Sequence, residues 1–217
     1  MLEIISVETG AEAPDEIYSA LSDLVSQERR ERAARFRNRQ GAVNMLAGEA
    51  LARHMVCARA GLKNEQLVIA PDQHGKPQIV GVPGLHFNVS HSGDLVVCAL
   101  SDDPIGADIE LIRTANLRIA ERFFRDDEYK YLISYTDSLD AAFFRIWTMK
   151  ESYIKQLGKG LGIALDSFSV FEIERQGRHV FHTVDVRPDA CCRICADDSE
   201  RVSSHRHYKL CDLFDLL

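Results

Sequence analysis

Asp108 and Glu110 stand two residues apart inside the apolar run Ile105-Gly106-Ala107-Asp108-Ile109-Glu110-Leu111. No other feature of the chain constrains its fold as much. The run reads as a half-buried strand, and on a strand both carboxylates point to one face. Two carboxylates about 4 Å apart repel by roughly 4 kcal/mol at an effective dielectric near 20. A buried pair therefore needs a cation, a proton or a basic partner. Trp147-Thr148-Met149-Lys150-Glu151-Ser152-Tyr153-Ile154-Lys155 offers one. Trp147, Glu151 and Lys155 step by four, which lines them along one face of a helix. If strand and helix pack together, Asp108, Glu110, Glu151 and Lys155 converge. Hard oxygen ligands suit Mg²⁺, which binds a few protein carboxylates together with substrate phosphates. Lysine meets those phosphates as a point charge. Singly, each motif reads as a solvated surface; the apolar setting of the carboxylates favours a site.

A second constellation reads as strand, turn, strand: His86-Phe87-Asn88-Val89-Ser90-His91-Ser92, then Gly93-Asp94, then Leu95-Val96-Val97-Cys98-Ala99-Leu100. Ser90, His91 and Ser92 crowd the strand end with hydroxyl and imidazole groups. A hydrolytic Ser90–His91 pair is disfavoured. Neighbours on a strand face opposite sides, and the chain lacks Gly-x-Ser-x-Gly.

Charge sits unevenly. The formal charge is −7, yet residues 26–40 hold six arginines (Arg29, Arg30, Arg32, Arg35, Arg37 and Arg39) against Glu28 and Glu31. That local +4 leaves −11 for the remainder. An acidic chain with Phe36 as the one aromatic residue of its basic segment is not expected to bind nucleic acid. Most of these arginines read as a solvated helix face; an anion site is the functional alternative. Ser26 reads as an N-cap, with Gln27 and Glu28 in the first turn.

Six cysteines raise the question of zinc or disulfides. Cys192-Arg193-Ile194-Cys195 has a metal-ligand spacing, with Cys191 beside it and His205 and His207 downstream. On a strand, however, Cys192 and Cys195 face opposite sides and cannot share an ion. Cys57 and Cys98 lie in apolar runs as small core residues. No disulfide framework is expected, which fits a reducing cytoplasm. With 217 residues the chain holds one large domain or two small ones. It has no apolar run of membrane-spanning length. Glu3 and the lack of a basic n-region argue against a secretory signal. Residues 11–16 read as a polar connector, with Pro14 starting a helix.

Helices are expected near 15–25, 26–38, 42–60, 116–123, 126–134 and 139–157, with Gly61 ending the third. Strands are expected near 66–70, 86–90, 95–100, 105–111, 167–175, 179–185, 191–196 and 206–212. Helix and strand blocks in both halves argue an α+β fold.

The ordered set Gly75-Lys76-Pro77, Phe87-Asn88-Val89-Ser90-His91-Ser92, Gly106-Ala107-Asp108-Ile109-Glu110 and Trp147 through Lys155 resembles the surfactin-type 4′-phosphopantetheinyl transferases. Gln156-Leu157-Gly158-Lys159-Gly160-Leu161 and Leu165-Asp166-Ser167-Phe168-Ser169-Val170 extend the likeness. It is strong from Gly75 to Val170, moderate over Ser26 to Val56 and faint after Phe171. The resemblance implies two similar α+β halves related by a pseudo-twofold, residues 1–104 and 105–217, with the active site between them. It implies transfer of the phosphopantetheine arm of coenzyme A to a serine of an apo acyl or peptidyl carrier protein, releasing adenosine 3′,5′-bisphosphate. A monomeric, cytoplasmic, Mg²⁺-dependent enzyme serving peptide, polyketide or fatty acid synthases is expected.

By position the resemblance assigns Asp108, Glu110 and Glu151 to the metal and Lys155 to the pyrophosphate. Ser90 and His91 match phosphate contacts. Lys76 and Pro77 match a stretch along the adenosine. Arg29 and Arg32 match residues near the 3′-phosphate. Glu151, or Glu128 in Phe123-Phe124-Arg125-Asp126-Asp127-Glu128-Tyr129, is the base for the carrier serine. An arginine usual in the family is replaced here by Asn44, so either the grip on the 3′-phosphate is weaker or Arg37 or Arg39 reaches in from the preceding turn; partial compensation is favoured, and Asn44→Arg is expected to tighten coenzyme A. Two other readings remain: a catalytically silent module that binds coenzyme A or a carrier, and an unrelated Mg²⁺-dependent phosphohydrolase.

Overall fold

The computed structural model describes residues 1–10 and 14–213. Residues 11–13 of the expected connector lie outside them, while Pro14 caps the first helix. The first sheet has strands β1 (Leu2–Glu8), β4 (His86–Ser92), β5 (Leu95–Ser101) and β9 (Val202–Lys209), in the order β4-β5-β1-β9. β5 is apolar from Leu95 to Leu100 because both its faces are covered. Val96, Cys98 and Leu100 turn towards helices α1 (Asp15–Leu24), α2 (Gln27–Ala33) and α3 (Arg39–Ala60). Leu95, Val97 and Ala99 turn the other way, onto the second sheet.

That sheet has the order β6-β8-β7, from β6 (Gly106–Leu111), β7 (His179–Thr183) and β8 (Ala190–Asp197). Its inner face meets the first sheet through Ile105, Ala107, Ile109, Cys192 and Ile194. Its outer face is covered by α4 (Leu117–Phe123), α5 (Asp126–Ser134), α6 (Leu139–Leu157) and α7 (Val170–Gln176). A small hairpin, β2 (Val68–Pro71) with β3 (Pro77–Val80), projects beside the sheets, and α8 (Leu210–Leu213) follows β9. The architecture is α+β in two halves. They interlock, because β9 crosses back to pair in parallel with β1.

Four sequence expectations need correction. The basic helix ends at Ala33, because Asn38 starts α3 by accepting the amide of Gln40. Residues 167–175 are not a strand. Ser169 caps a helix through the Glu172 amide, Gly177 ends it at φ 69°, and Val170 and Ile173 bury one face. The last strand runs over Val202–Lys209, earlier than 206–212. Finally, β1 and β3 were not anticipated. β1 is defined by β5 and β9, partners about a hundred and two hundred residues away, which local periodicity does not register. Other signals hold. Ser26 accepts the amide of Arg29, and Gly61 ends α3 at φ 66°. Cys192 and Cys195 face opposite sides of β8, one in each core layer.

Candidate active site

Helix α6 lies directly on β6. Gly106 permits this, since a Cβ there would stand 1.9 Å from the Ser152 carbonyl oxygen. The approach brings Lys155 Nζ to 2.6 Å from Asp108 Oδ1. Lys155 also donates to Ser90 Oγ at 3.1 Å. Asp108 is 5% exposed, and its second oxygen, Oδ2, is buried without a partner. Burial, with the charges of Glu151 and Glu110 added, pushes the Asp108 pKa up to about 6 against the pull of Lys155. Glu151 is raised for the same reasons: burial first, then Glu110. Three acidic groups therefore line one space with a single ammonium, Glu110 also meeting the exposed Arg113 guanidinium at 3.6 Å, and the buried pair Asp108 and Glu151 favours a further positive charge.

The donor set fits Mg²⁺: hard carboxylate oxygens, one of them orphaned, facing a cavity. Among the described residues, no three acidic, histidine or cysteine side chains stand close enough together to enclose a metal unaided. Substrate oxygens would complete the coordination, the usual arrangement for this ion.

Three adjoining cavities surround the cluster. One of about 410 Å³ is lined by Asp108, Glu110, Glu151, Lys155, His91 and Trp147. One of about 250 Å³ is lined by Arg29, Arg32, Asn44, Pro77 and His91. The largest, about 560 Å³, runs between Lys76, Pro77, Phe123, Glu151, Ile154 and Lys155. Val89 borders all three. His91 stands where the first two meet. Burial and the nearby Lys155 charge lower its pKa, so it is neutral near pH 7.

The other predicted residues divide. Arg29 and Arg32 reach the second cavity. Arg29 is held at 2.6 Å by buried Glu49, and Arg32 has no ion pair among the described residues. Lys76 lies at the site, but its ammonium is committed. It donates to the carbonyls of Lys155 (2.6 Å), Ile105 (3.1 Å) and Gln156 (3.3 Å), gripping the C-terminal end of α6. Burial lowers its pKa to about 8 against the opposing charge of Asp72.

Glu128 does not belong to the site. It is fully buried, ion-pairs with Lys150 at 2.8 Å and accepts the amides of Arg125 and Val170. A carboxylate so enclosed cannot reach a hydroxyl on another protein. Asn44 is likewise engaged. It accepts from Thr9 and Gln40 and donates to the Gly93 carbonyl, all at 2.8 Å, which fixes the β4–β5 turn. Arg39 does not compensate for it. Arg39 pairs with Asp15 and lies over the Tyr18 ring, on the side of α1.

Sequence reasoning placed Ser92 at the strand end but did not anticipate what Asn88 and Ser92 do to β6. Along with Ser90 they join β4 to β6. The signal was present in their period-2 spacing, Asn88-x-Ser90-x-Ser92.

The fold and site together define an α+β chain of two interlocking halves with an acidic cluster and a basic-lined cavity side by side. Residues 104–210 match the model of the 4′-phosphopantetheinyl transferase superfamily, and residues 12–103 match that of the 4′-phosphopantetheinyl transferase N-terminal domain. The chain is 43% identical over 159 residues to the 4′-phosphopantetheinyl transferase ffp of Bacillus subtilis, covering 73% of this chain and 70% of that one. It is 42% identical over 184 residues to the 4′-phosphopantetheinyl transferase Sfp of Bacillus subtilis (strain 168), covering 80% and 82%. It is 37% identical over 177 residues to the 4′-phosphopantetheinyl transferase gsp of Aneurinibacillus migulanus, covering 81% and 74%. The chain belongs to the surfactin-type 4′-phosphopantetheinyl transferase family, whose activity is carrier-protein phosphopantetheinylation with coenzyme A. No helix among the described residues is long and apolar enough to cross a membrane.

Proposed function

We propose that this chain performs the transfer as a Mg²⁺-dependent enzyme, with Asp108, Glu110 and Glu151 holding the ion. The observation that carries this reading is the orphaned, buried Asp108 Oδ2 beside two further carboxylates. A bound Mg²⁺ would supply positive charge where negative charge builds on the pyrophosphate oxygens of coenzyme A. Lys155 exchanges part of its contact with Asp108 for those oxygens and stabilises charge as the phosphoanhydride bond breaks. Glu151 takes the proton of the carrier serine. A carboxylate that also holds the ion takes that proton through a bound water rather than directly. The serine oxygen attacks the β-phosphorus, and adenosine 3′,5′-bisphosphate leaves. Arg32 and Arg29 receive the 3′-phosphate, His91 and Ser90 border the phosphates, and the Lys76–Pro77 stretch walls the adenosine side.

Residues 1–104 thus serve coenzyme A recognition, and residues 105–217 serve the metal and the chemistry. A monomer suffices, because both sides of the cavity come from one chain. The six free cysteines suit a reducing cytoplasm. The test is apo carrier protein with coenzyme A, with and without Mg²⁺, read by mass. Gain of the arm only with Mg²⁺, lost in Asp108→Asn, supports the reading. Binding without gain of the arm makes the chain a module, and release of free phosphopantetheine makes it a hydrolase.

A further inference from the structure

β4 and β6 are edge strands of different sheets that run side by side, and no backbone ladder joins them. Side chains from one strand replace it. Asn88 Oδ1 accepts the amide of Ala107 at 2.8 Å. Ser90 Oγ accepts the amide of Ile109 at 3.4 Å and donates its proton to Asp108 Oδ1 at 3.1 Å. Ser92 Oγ accepts the amide of Leu111 at 3.1 Å and donates to Glu110 Oε2 at 2.8 Å. The same unit occurs twice. The amide that follows a carboxylate residue donates to a serine, and the serine donates to that carboxylate. The β6 edge amides would be costly to bury unpaired. Satisfying them fixes each hydroxyl's lone pairs and leaves its one proton to the carboxylate.

We propose that Ser92, with Ser90, is a positioning residue that presets the carboxylates of β6 for the divalent ion. The inference rests on the metal reading above. It makes the ion affinity of the second half depend on a strand of the first. Ser92 suits the test better than Ser90, which also borders the phosphates and receives Lys155.

The experiment compares full-length wild type, Ser92→Ala, Ser92→Thr and Asp108→Asn. Mn²⁺ binding is measured by electron paramagnetic resonance without carrier protein, alongside thermal stability, the Mg²⁺ concentration for half-maximal transfer, and kcat. Loss of a partner that orients a metal ligand typically costs 10–100-fold in affinity or activity. Ser92→Ala is expected to weaken Mn²⁺ and raise the Mg²⁺ half-point about 10-fold. Its kcat at saturating Mg²⁺ falls by less, and Ser92→Thr, which keeps the hydroxyl, restores the affinity. If Ser92→Ala lowers only Tm or kcat while ion affinity stays, the serine merely joins the sheets and the proposal is overturned. Wild type that binds no Mn²⁺ and equals Asp108→Asn overturns the metal reading itself, and the proposal with it.

Discussion

Gly106 and Ser152 meet backbone to backbone: a Cβ on Gly106 would lie 1.9 Å from the Ser152 carbonyl oxygen and 2.3 Å from the Gln156 nitrogen. Both neighbours are main-chain atoms of α6, so no side-chain rotation relieves the clash. The contact sets the distance between the strand that carries Asp108 and the helix that carries Glu151 and Lys155. Gly106→Ala should force the two apart. Overpacking of this kind costs about 1–3 kcal/mol and occasionally more. Thermal melts and kcat check it, and both should fall. An unchanged melt with intact turnover would show that the elements can separate freely.

The two glutamates of the sequence analysis separate cleanly by experiment. Glu151→Gln should keep its fold and lose at least ~100-fold in transfer rate, as expected for removal of a general base. Glu128→Gln should instead lose stability, about 3–5 kcal/mol, because it leaves Lys150 buried beside a neutral partner. Denaturant titrations and single-turnover rates on folded protein distinguish the two. Near-normal turnover by Glu151→Gln at saturating Mg²⁺ would remove it from the mechanism.

Asp108 should make ion binding pH-dependent. Its folded-state pKa is about 6, above the ordinary 3.8, chiefly through burial. Metal-free folded protein therefore takes up this proton before the unfolded chain does. The group adds stability as pH falls from 6 towards 4 and withdraws it as pH rises through 6. Ion binding needs the ionised form. The rise in Tm on adding MgCl₂ should hold at pH 7 and shrink below pH 6. Asp108→Asn should flatten that dependence, and a rise that persists at pH 5 would contradict it.

Lys76 should behave as a clamp. Lys76→Met leaves two carbonyls at the end of α6 and that of Ile105, just before β6, without their donor, at about 1–3 kcal/mol for each buried group left unpaired. Tm and kcat should both drop, and Lys76→Arg should recover part of each. A selective rise in KM for coenzyme A, with Tm intact, would instead assign the ammonium to substrate.

Recognition of the 3′-phosphate should rest on Arg32. Arg32→Ala should lower kcat/KM for coenzyme A about 10-fold, in keeping with loss of a charged hydrogen bond, and leave dephospho-coenzyme A nearly unaffected. Asn44→Arg should destabilise rather than tighten binding, since Asn44 is 3% exposed and holds Gly93. Equal effects on both donors in Arg32→Ala would place the 3′-phosphate elsewhere.

Much of this site is legible along the chain, because its chemistry is written in short local patterns. Asp108-x-Glu110 reads on a strand, Trp147, Glu151 and Lys155 read on a helix, and Ser26 and Gly61 mark helix ends. The fate of Glu128 is not local. It depends on Lys150 and on the Val170 amide, residues brought to it by α6 and α7. Asn44 and Arg39 face the same limit, as their partners Gly93 and Asp15 lie on other elements.

By itself, then, the sequence determined the α+β class and the residue types gathered at the centre, since periodicity and spacing report what each segment presents to its neighbours, and its ordered motifs carried the likeness to the family. Only the tertiary structure decided which cations remain available and which polar groups are already committed. It also decided that a side-chain rail on β4, rather than a ladder, holds β6. These properties arise from pairings between residues distant in the chain, whose directional hydrogen bonds form only once the two sheets and α6 have closed on one another.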